Sequence, residues 1–434
     1  MTAFSLEPER LAWCAELRAL AAERLRPLAE KGEPGRVNRP LLTELGTLGL
    51  LSRLFTSGAL DLCLMRESLA HACTEAETAL ALQGLGAHPV HAHGTAAQRA
   101  RWLPGVSDGG VVAAFALSEP GAGSDAAALS LAAEPYGGAA RAATPRRAAP
   151  PDESPPGASR RGGVPDARSA GPGEGGPAGE AAASGPPSSL AAEPDGSSGW
   201  RLTGEKCWIS NAPEADFYTV FARTTPGAGA RGVTAFLVPA DRPGLTGAAL
   251  DMLSPHPIGA LRLDAVPVTA DDVLGEVDRG FRVAMDTLNL FRPSVGAFAV
   301  GMAQAALDAT LAHTARRDAF GGKLKDLQSV AHQVAEMALR TESARLMVYA
   351  AATAYDEGAD GVPRRAAMAK LLATETAQYV VDRAVQLHGA RALQRGHLLE
   401  HLYREVRAPR VYEGASEVQR GIIAKELYRN LEDR

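Results

Sequence analysis

The sequence predicts an α+β fold of three successive units, helical, then β, then helical, and three features carry that reading. Ala, Leu, Glu and Arg recur at helix spacing from residue 7 to about 103. Short apolar runs with Val, Phe or Tyr, bounded by Gly, Pro and Asp, follow from Val111. Long amphipathic stretches return from Arg279. A chain of 434 residues also exceeds what one core sustains, roughly 250 to 300 residues, so several packed units are expected. Their bounds read as 1–110, 111–275 and 276–434.

In the first unit, "LAWCAELRALAAERLRPLAE" and "LDLCLMRESLAHACTEAETALALQGL" are built from strong helix formers, and Pro104 and Gly105 mark its end. In the second, "VVAAFALS", "FYTVFAR" and "GVTAFLVP" read as strands. In the third, Leu327, Val330, Val334, Met337, Ala344 and Val348 fall on one helical stripe. "GADGVP" breaks that helix, and further helices are expected over 366–389 and 416–431.

Residues 136–194 fit none of these patterns. They are mostly Ala, Gly, Pro, Ser, Arg and Glu, with too little apolar surface to offset the entropy of ordering, so the segment is expected to be disordered. "SLAAEP" occurs at 130–135 and again at 189–194, a direct repeat flanking the filler. Strand-like sequence on both sides makes it a lengthened hairpin loop, and loop closure costs only about 0.6 kcal/mol per doubling of length.

Hydrophobic residues make up 46% and charged residues 22%, the balance of a soluble globular protein. A net charge of −5 gives no general attraction to nucleic acid or anionic lipid. Cys14, Cys63, Cys73 and Cys207 form no C-x-x-C pair and read as reduced, buried residues. With no signal-like start and no apolar run of about 20 residues, a cytoplasmic location without membrane insertion is expected. The "HPVHAH" cluster, on a stretch read as connecting helices, lacks an acid or cysteine nearby, so no metal is expected.

Three stretches carry chemistry. "FALSEPGAGSD" at 115–125 follows a strand and holds Gly121-x-Gly123-x-x-Ala126, which admits a dinucleotide-binding turn or a plain glycine turn. The first requires a following helix and an acid about twenty residues on, and neither is present. In either case, Gly121 and Gly123 let main-chain amides approach a ligand. "GEKCWISNAPEADF" puts Trp208 on a strand, as a core residue or a cofactor contact. "VYEGASEVQ" sets Glu413 directly before Gly414, four residues ahead of Glu417. Both acids suit a helix start, but a carboxylate in a site that dries when substrate enters also becomes a stronger base.

Together with "RRDAFGGKLKDLQ" and "QLHG", these stretches resemble the acyl-CoA dehydrogenases, in the same order and across the chain outside the insert. The resemblance implies an N-terminal helical domain, a middle β-barrel or sandwich domain and a C-terminal four-helix bundle. It implies FAD as cofactor, with Phe115, Leu117, Ser118, Gly123 and Ser124 against FAD or the CoA portion of substrate. Trp208, Ile209 and Ser210 would cover the flavin ring, and Ala415 and Glu417 would lie beside the cofactor. Arg317, Phe320 and Gln328, with Gln386, Leu387, His388 and Gly389, would reach the FAD of a neighbouring subunit, which implies a dimer or tetramer. Ala390, Arg391 and Ala392 stand where the family usually has further glycines.

By the same resemblance Glu413 is the base that takes the α-proton while flavin N5 receives the β-hydride, and Ser124, Arg292 and Gly414 contact substrate. Arg292 is placed at the start of its helix, preceded by Asn289, Leu290 and Phe291, so no acid there competes for the role. The Glu413 amide and a ribityl hydroxyl of the flavin would hold the thioester oxygen, and electron-transferring flavoprotein is the expected acceptor. Oxidases, carrier-protein-linked acyl dehydrogenases and flavin-containing DNA-associated proteins share the motifs. Oxygen reactivity separates the first, and salt-dependent DNA binding would mark the last.

Overall fold

The computed structural model describes residues 6–137 and 199–432, and its elements follow the helical, β, helical order. Helices α1 (Pro8–Leu20), α2 (Arg26–Ala29), α3 (Arg39–Thr47), α4 (Leu50–Thr56), α5 (Ala59–Ala72), α6 (Thr74–His93) and α7 (Ala96–Ser107) form the first unit. A Thr95–Gln98 capping box starts α7. Pro104 and Gly105, expected to end this unit, lie inside α7 instead. The Pro104 carbonyl still accepts from the Asp108 amide at 3.0 Å, so the last turn closes past the proline. His88, His91 and His93 belong to the last turns of α6 rather than to a connection, and among the described residues no His, Cys, Asp or Glu cluster could hold a metal.

Strands β1 (Ala113–Ala116), β2 (Ala132–Tyr136), β3 (Gly199–Ser210), β4 (Phe217–Arg223), β5 (Val233–Pro239), β6 (Leu245–Ala249), β7 (Ile258–Thr269) and β8 (Val273–Leu274) form one sheet. Its order is β6-β7-β3-β2-β4-β5-β8, with β1 parallel to β4. Antiparallel pairing of β2 with β3 gives the expected hairpin, but Tyr136, read as the first residue of the insert, is the last residue of β2 and stands opposite Gly199. From residue 138 onward the expected disordered insert lies outside the described residues.

Helices α8 (Gly280–Arg316), α9 (Gln328–Asp356), α10 (Val362–His388), α11 (Leu398–Glu405) and α12 (Ser416–Glu432) complete the chain. Between α8 and α9 a small hairpin pairs β9 (Asp318–Ala319) with β10 (Gly322–Lys323). Helix α8 packs on α5, α9 and α10, and α12 packs on α10. By length and mean hydropathy α8 could cross a membrane, although Arg282, Asp286, Arg292 and Asp308 interrupt it and it holds no unbroken apolar run of about 20 residues. Its apolar window is mostly buried among Phe298, Val300, Met302, Ala306 and their neighbours, as in the core helix of a soluble protein. Burial of each such Phe, Val or Met side chain contributes about 1.5 to 3 kcal/mol.

Helix α6 joins the helical and β units around the site. A Cβ on Gly86 would stand 2.6 Å from the Ala113 carbonyl carbon, so only glycine lets α6 lie this close to β1. Gln83 then clasps β1, its Nε2 donating to Val111 O at 2.7 Å and its Oε1 accepting from the Ala113 amide at 2.8 Å. Glu77, nearly two turns earlier on α6, faces α5, where it accepts from Arg66.

Candidate active site

Glu413 and Gly414 have φ of 51° and 96°, so two consecutive left-handed residues swing the chain away from Tyr412 before α12 begins. Three buried side chains hold this turn by its carbonyls. Arg292 Nε donates to Glu413 O at 3.2 Å, and Gln419 Nε2 donates to the same oxygen at 3.1 Å and to Gly414 O at 3.0 Å. Lys370 Nζ donates to Tyr412 O at 3.0 Å and Gly414 O at 2.6 Å. A Cβ on Gly414 would meet Gln419 Nε2 at 2.4 Å, so any other residue would have to displace a side chain that pins the turn, besides adopting a φ that favours glycine.

The main chain of Glu413 is fixed, yet its chemical groups are free. Oε2 is sealed from solvent with no hydrogen-bond partner, and the amide N–H has none among the described residues. Burial pushes the Glu413 carboxyl above its ordinary value, opposed by the charges of Arg66, Lys370 and Arg292. Burial also brings the Lys370 ammonium down to about 8. Arg292, expected at a helix start, sits mid-helix in α8 and is buried, so it is no solvated terminal arginine.

Glu417 is exposed in the first turn of α12 and lies 3.5 Å from Arg420, the position of an ordinary helix acid. Ala415 lies half-buried on the same turn.

The glycine-rich loop is tied from beneath. Glu119 is buried and accepts from Lys206 Nζ at 2.9 Å, from the Ser130 amide at 2.7 Å and hydroxyl at 2.8 Å, and from the Leu131 amide at 3.0 Å. These donors hold its carboxyl below the ordinary range despite burial. Lys206 Nζ also donates to Leu117 O at 3.0 Å, and the Cys207 amide donates to Ser118 O at 3.0 Å. Above this base, a Cβ on Gly121 or Gly123 would find nothing within 4 Å, and the Gly123 and Ser124 amides have no main-chain partner among the described residues. Phe115 and Leu117 lie in the core beneath the loop, while Ser118 is half-buried and Ser124 exposed.

Trp208 sits where the β3–β7 register breaks, with φ of 57° and 49% of its surface exposed. A bulky residue in that conformation costs about 1 to 3 kcal/mol and persists where neighbours fix it, often at a ligand site. Ser210 is half-buried, whereas the Ile209 side chain points into the core and leaves only its main chain for a ligand. Of the four cysteines, Cys207 is only half-buried and the other three are buried.

Phe320, with φ of 54°, stands at the tip of the β9–β10 hairpin with 89% of its surface exposed, and Arg317 and Gln328 flank it in solvent. At the end of α10, Gln386 and Gly389 are exposed and Leu387 packs partly on the core. His388 is buried, with Nδ1 2.8 Å from Ala384 O and its ring stacked on His313 at 4.2 Å. Sequence reasoning gave no role to Arg66, Lys370 or Gln419. The visible signal was their charge or polarity within strongly apolar helical runs such as "AAMAKLLATETA". Glu119 and Lys206 lay inside quoted motifs without a function.

An unpartnered carboxylate on a pinned turn, a glycine loop whose Gly123 and Ser124 amides lack main-chain partners among the described residues, and a half-exposed tryptophan on a strained strand are groups open to a ligand. Short-chain specific acyl-CoA dehydrogenase of Bos taurus mitochondria is 34% identical over 345 residues, 79% of this chain and 69% of that protein. Cyclohexane-1-carbonyl-CoA dehydrogenase of Geobacter metallireducens is 29% identical over 426 residues, 95% of this chain and 96% of that protein. The solved butyryl-CoA dehydrogenase of Megasphaera elsdenii superposes with a TM-score of 0.78 at 26% identity, covering 98% of this chain and 99% of that one. The acyl-CoA dehydrogenase N-terminal, middle and C-terminal domain descriptions match residues 7–110, 178–266 and 278–428. Those matches run in chain order and take in Trp208, Arg292, Lys370 and Glu413, and with the 34% identity over most of its length the chain belongs to the acyl-CoA dehydrogenase family.

Proposed function

We propose that the protein removes the α-proton and β-hydride of an acyl-CoA thioester to give the trans-2-enoyl-CoA, with Glu413 as the base. The observation that carries this reading is the enclosed, unpartnered Oε2 of Glu413 on a turn held by Arg292, Lys370 and Gln419. A carboxylate with no competing hydrogen bond is free to take a proton from carbon, and burial raises its affinity for that proton. The free Glu413 amide is oriented with the same turn and would donate to the thioester oxygen as negative charge develops there.

The cofactor is FAD, which supplies the acceptor for the hydrogen leaving the β-carbon. The open faces of Gly121 and Gly123 and the exposed indole of Trp208 fit a planar ligand with a phosphate-bearing tail. Phe115, Leu117, Ser118, Gly123, Ser124, Trp208 and Ser210 would hold it. Arg317, Phe320, Gln328, Gln386, Leu387 and Gly389 would contribute from a second copy, which makes the working species a homo-oligomer. The exposure of Phe320 supports that assignment. Electron-transferring flavoprotein is the proposed electron acceptor.

Anaerobic titration of the yellow protein with CoA thioesters tests the reading. Loss of the flavin absorbance is expected, with enoyl-CoA as the product. Folded, flavin-loaded protein that no acyl thioester bleaches would overturn it.

A further inference from the structure

Beside Glu413 lies a buried ion pair that the proposed chemistry does not use. Arg66 on α5 donates from Nε to Glu77 on α6 and from Nη1 to Ser294 Oγ on α8 at 2.7 Å. The Ser294 hydroxyl in turn donates to Phe291 O at 2.7 Å, so its proton is committed and the oxygen is left to accept. Thr78 Oγ1 donates to the other Glu77 oxygen at 3.3 Å. The remaining Arg66 nitrogen, Nη2, makes no hydrogen bond among the described residues.

The placement of this group relative to the base follows from what holds each neighbour. Lys370 and Arg292 are spent on carbonyls of the 412–414 turn and so occupy its main-chain side. Arg66 makes no bond to that turn, and Ser294, which anchors it, is two residues beyond Arg292 on α8. Two residues of α8 rise only about 3 Å, so the Arg66–Ser294 contact lies next to the residue that pins Glu413, and the Arg66 charge is felt at the Glu413 carboxyl. A bound acyl group whose α-carbon reaches Oε2 must pass near it.

An ion pair buried without water costs several kcal/mol of desolvation per ion, and hydrocarbon packed against it cannot offset that cost. Glu77 already neutralises Arg66, so a second carboxylate would gain little charge attraction. A neutral oxygen could accept from Nη2 without disturbing the pair. Resting on the dehydrogenase reading above, we propose that Arg66 is a specificity-determining residue. It selects a short acyl chain bearing a hydroxyl or ether oxygen beyond the β-carbon over an unsubstituted alkyl chain.

The test uses the flavin-loaded protein and three CoA thioesters: 4-methoxybutanoyl, its carbon isostere hexanoyl, and glutaryl. Stopped-flow bleaching under anaerobic conditions gives the reduction rate over Kd for each. The methoxy ester is expected to exceed hexanoyl by about tenfold or more, because a site built around a donor rejects a chain that leaves it unpaired. Arg66→Met should bring that ratio to about one. An Arg66 that only sets the ionisation of Glu413 would move the pH midpoint for both esters alike and leave the ratio unchanged, which would overturn the proposal. Hexanoyl equal to or faster than the methoxy ester, or glutaryl faster than both, would also overturn it. If Arg66→Met does not fold, Glu77→Gln gives the second reading: glutaryl should gain on the methoxy ester, and an unchanged ratio counts against the proposal. Failure of these three esters while another acyl thioester bleaches the flavin would overturn the proposal alone, whereas failure of every acyl thioester would overturn the dehydrogenase reading itself.

Discussion

Arg292 Nε donates to the main-chain oxygen of Glu413 at 3.2 Å, while Oε2 of the same glutamate stands enclosed with no partner. The arginine thus fixes the position of the proposed base without occupying the atom that would accept the proton. Oε2 can then meet a carbon acid without first breaking a hydrogen bond.

Glu413→Gln removes the acceptor and keeps the shape. FAD content and thermal stability should stay near wild type, because Arg292, Gln419 and Lys370 hold main-chain atoms that the substitution leaves in place. The rate of anaerobic bleaching should fall by about 10² to 10⁴, the usual scale for a lost general base. Bleaching at the wild-type rate would show that another group takes the proton.

The pH dependence follows from the same carboxyl. Only ionised Glu413 accepts a proton, so bleaching should rise with pH through a midpoint above the ordinary glutamate value of about 4.3. Lys370 opposes that upward shift, and Lys370→Met should move the midpoint to still higher pH. The variant also loses two carbonyl anchors, so the plateau rate should drop as well. A stopped-flow pH series decides this, and a midpoint that moves down in the variant would contradict it.

Lys206→Met strands Glu119 without its cation in a buried site, although the Ser130 and Leu131 amides remain as donors. Such a change should cost about 3 kcal/mol in denaturant unfolding. Adding Glu119→Gln should recover part of the loss, and FAD retention should weaken in the single variant because the glycine loop loses its base. Equal stability of wild type and single variant would remove the ion pair from the account.

Phe320→Ala should leave monomer stability within about 0.5 kcal/mol, because the ring is almost fully exposed. If the hairpin tip reaches the cofactor of a second copy, the variant will release FAD more readily on gel filtration and associate more weakly. Unchanged FAD content and unchanged oligomer size would argue that the tip has no such role.

The order of units and most long helices were legible in the sequence, since helix stripes and strand runs are local patterns. Of the predicted stripe, Val330, Met337, Ala344 and Val348 are buried along α9, Val334 is half-buried, and Leu327 stands just before the helix. What was not legible depended on contacts between distant segments. Pro104 stays inside α7, and its carbonyl still accepts from the Asp108 amide in the final turn, a detail that composition does not encode. Glu413 and Gly414 stood out through their adjacency. Lys370 and Arg66, which shape the surroundings of that glutamate, sit 43 residues before it (413 − 370) and 347 residues before it (413 − 66), on other helices. Only the packing of α5, α8 and α10 brings them together.

The pairing of Tyr136 with Gly199 has a practical consequence. The chain leaves the sheet and re-enters it at opposite ends of a single cross-strand pair, so the two exit points span the gap of a tight turn. A fluorescent protein or affinity module grafted there would need its own termini close together, but it would place no tension on the strands carrying the glycine loop and Trp208.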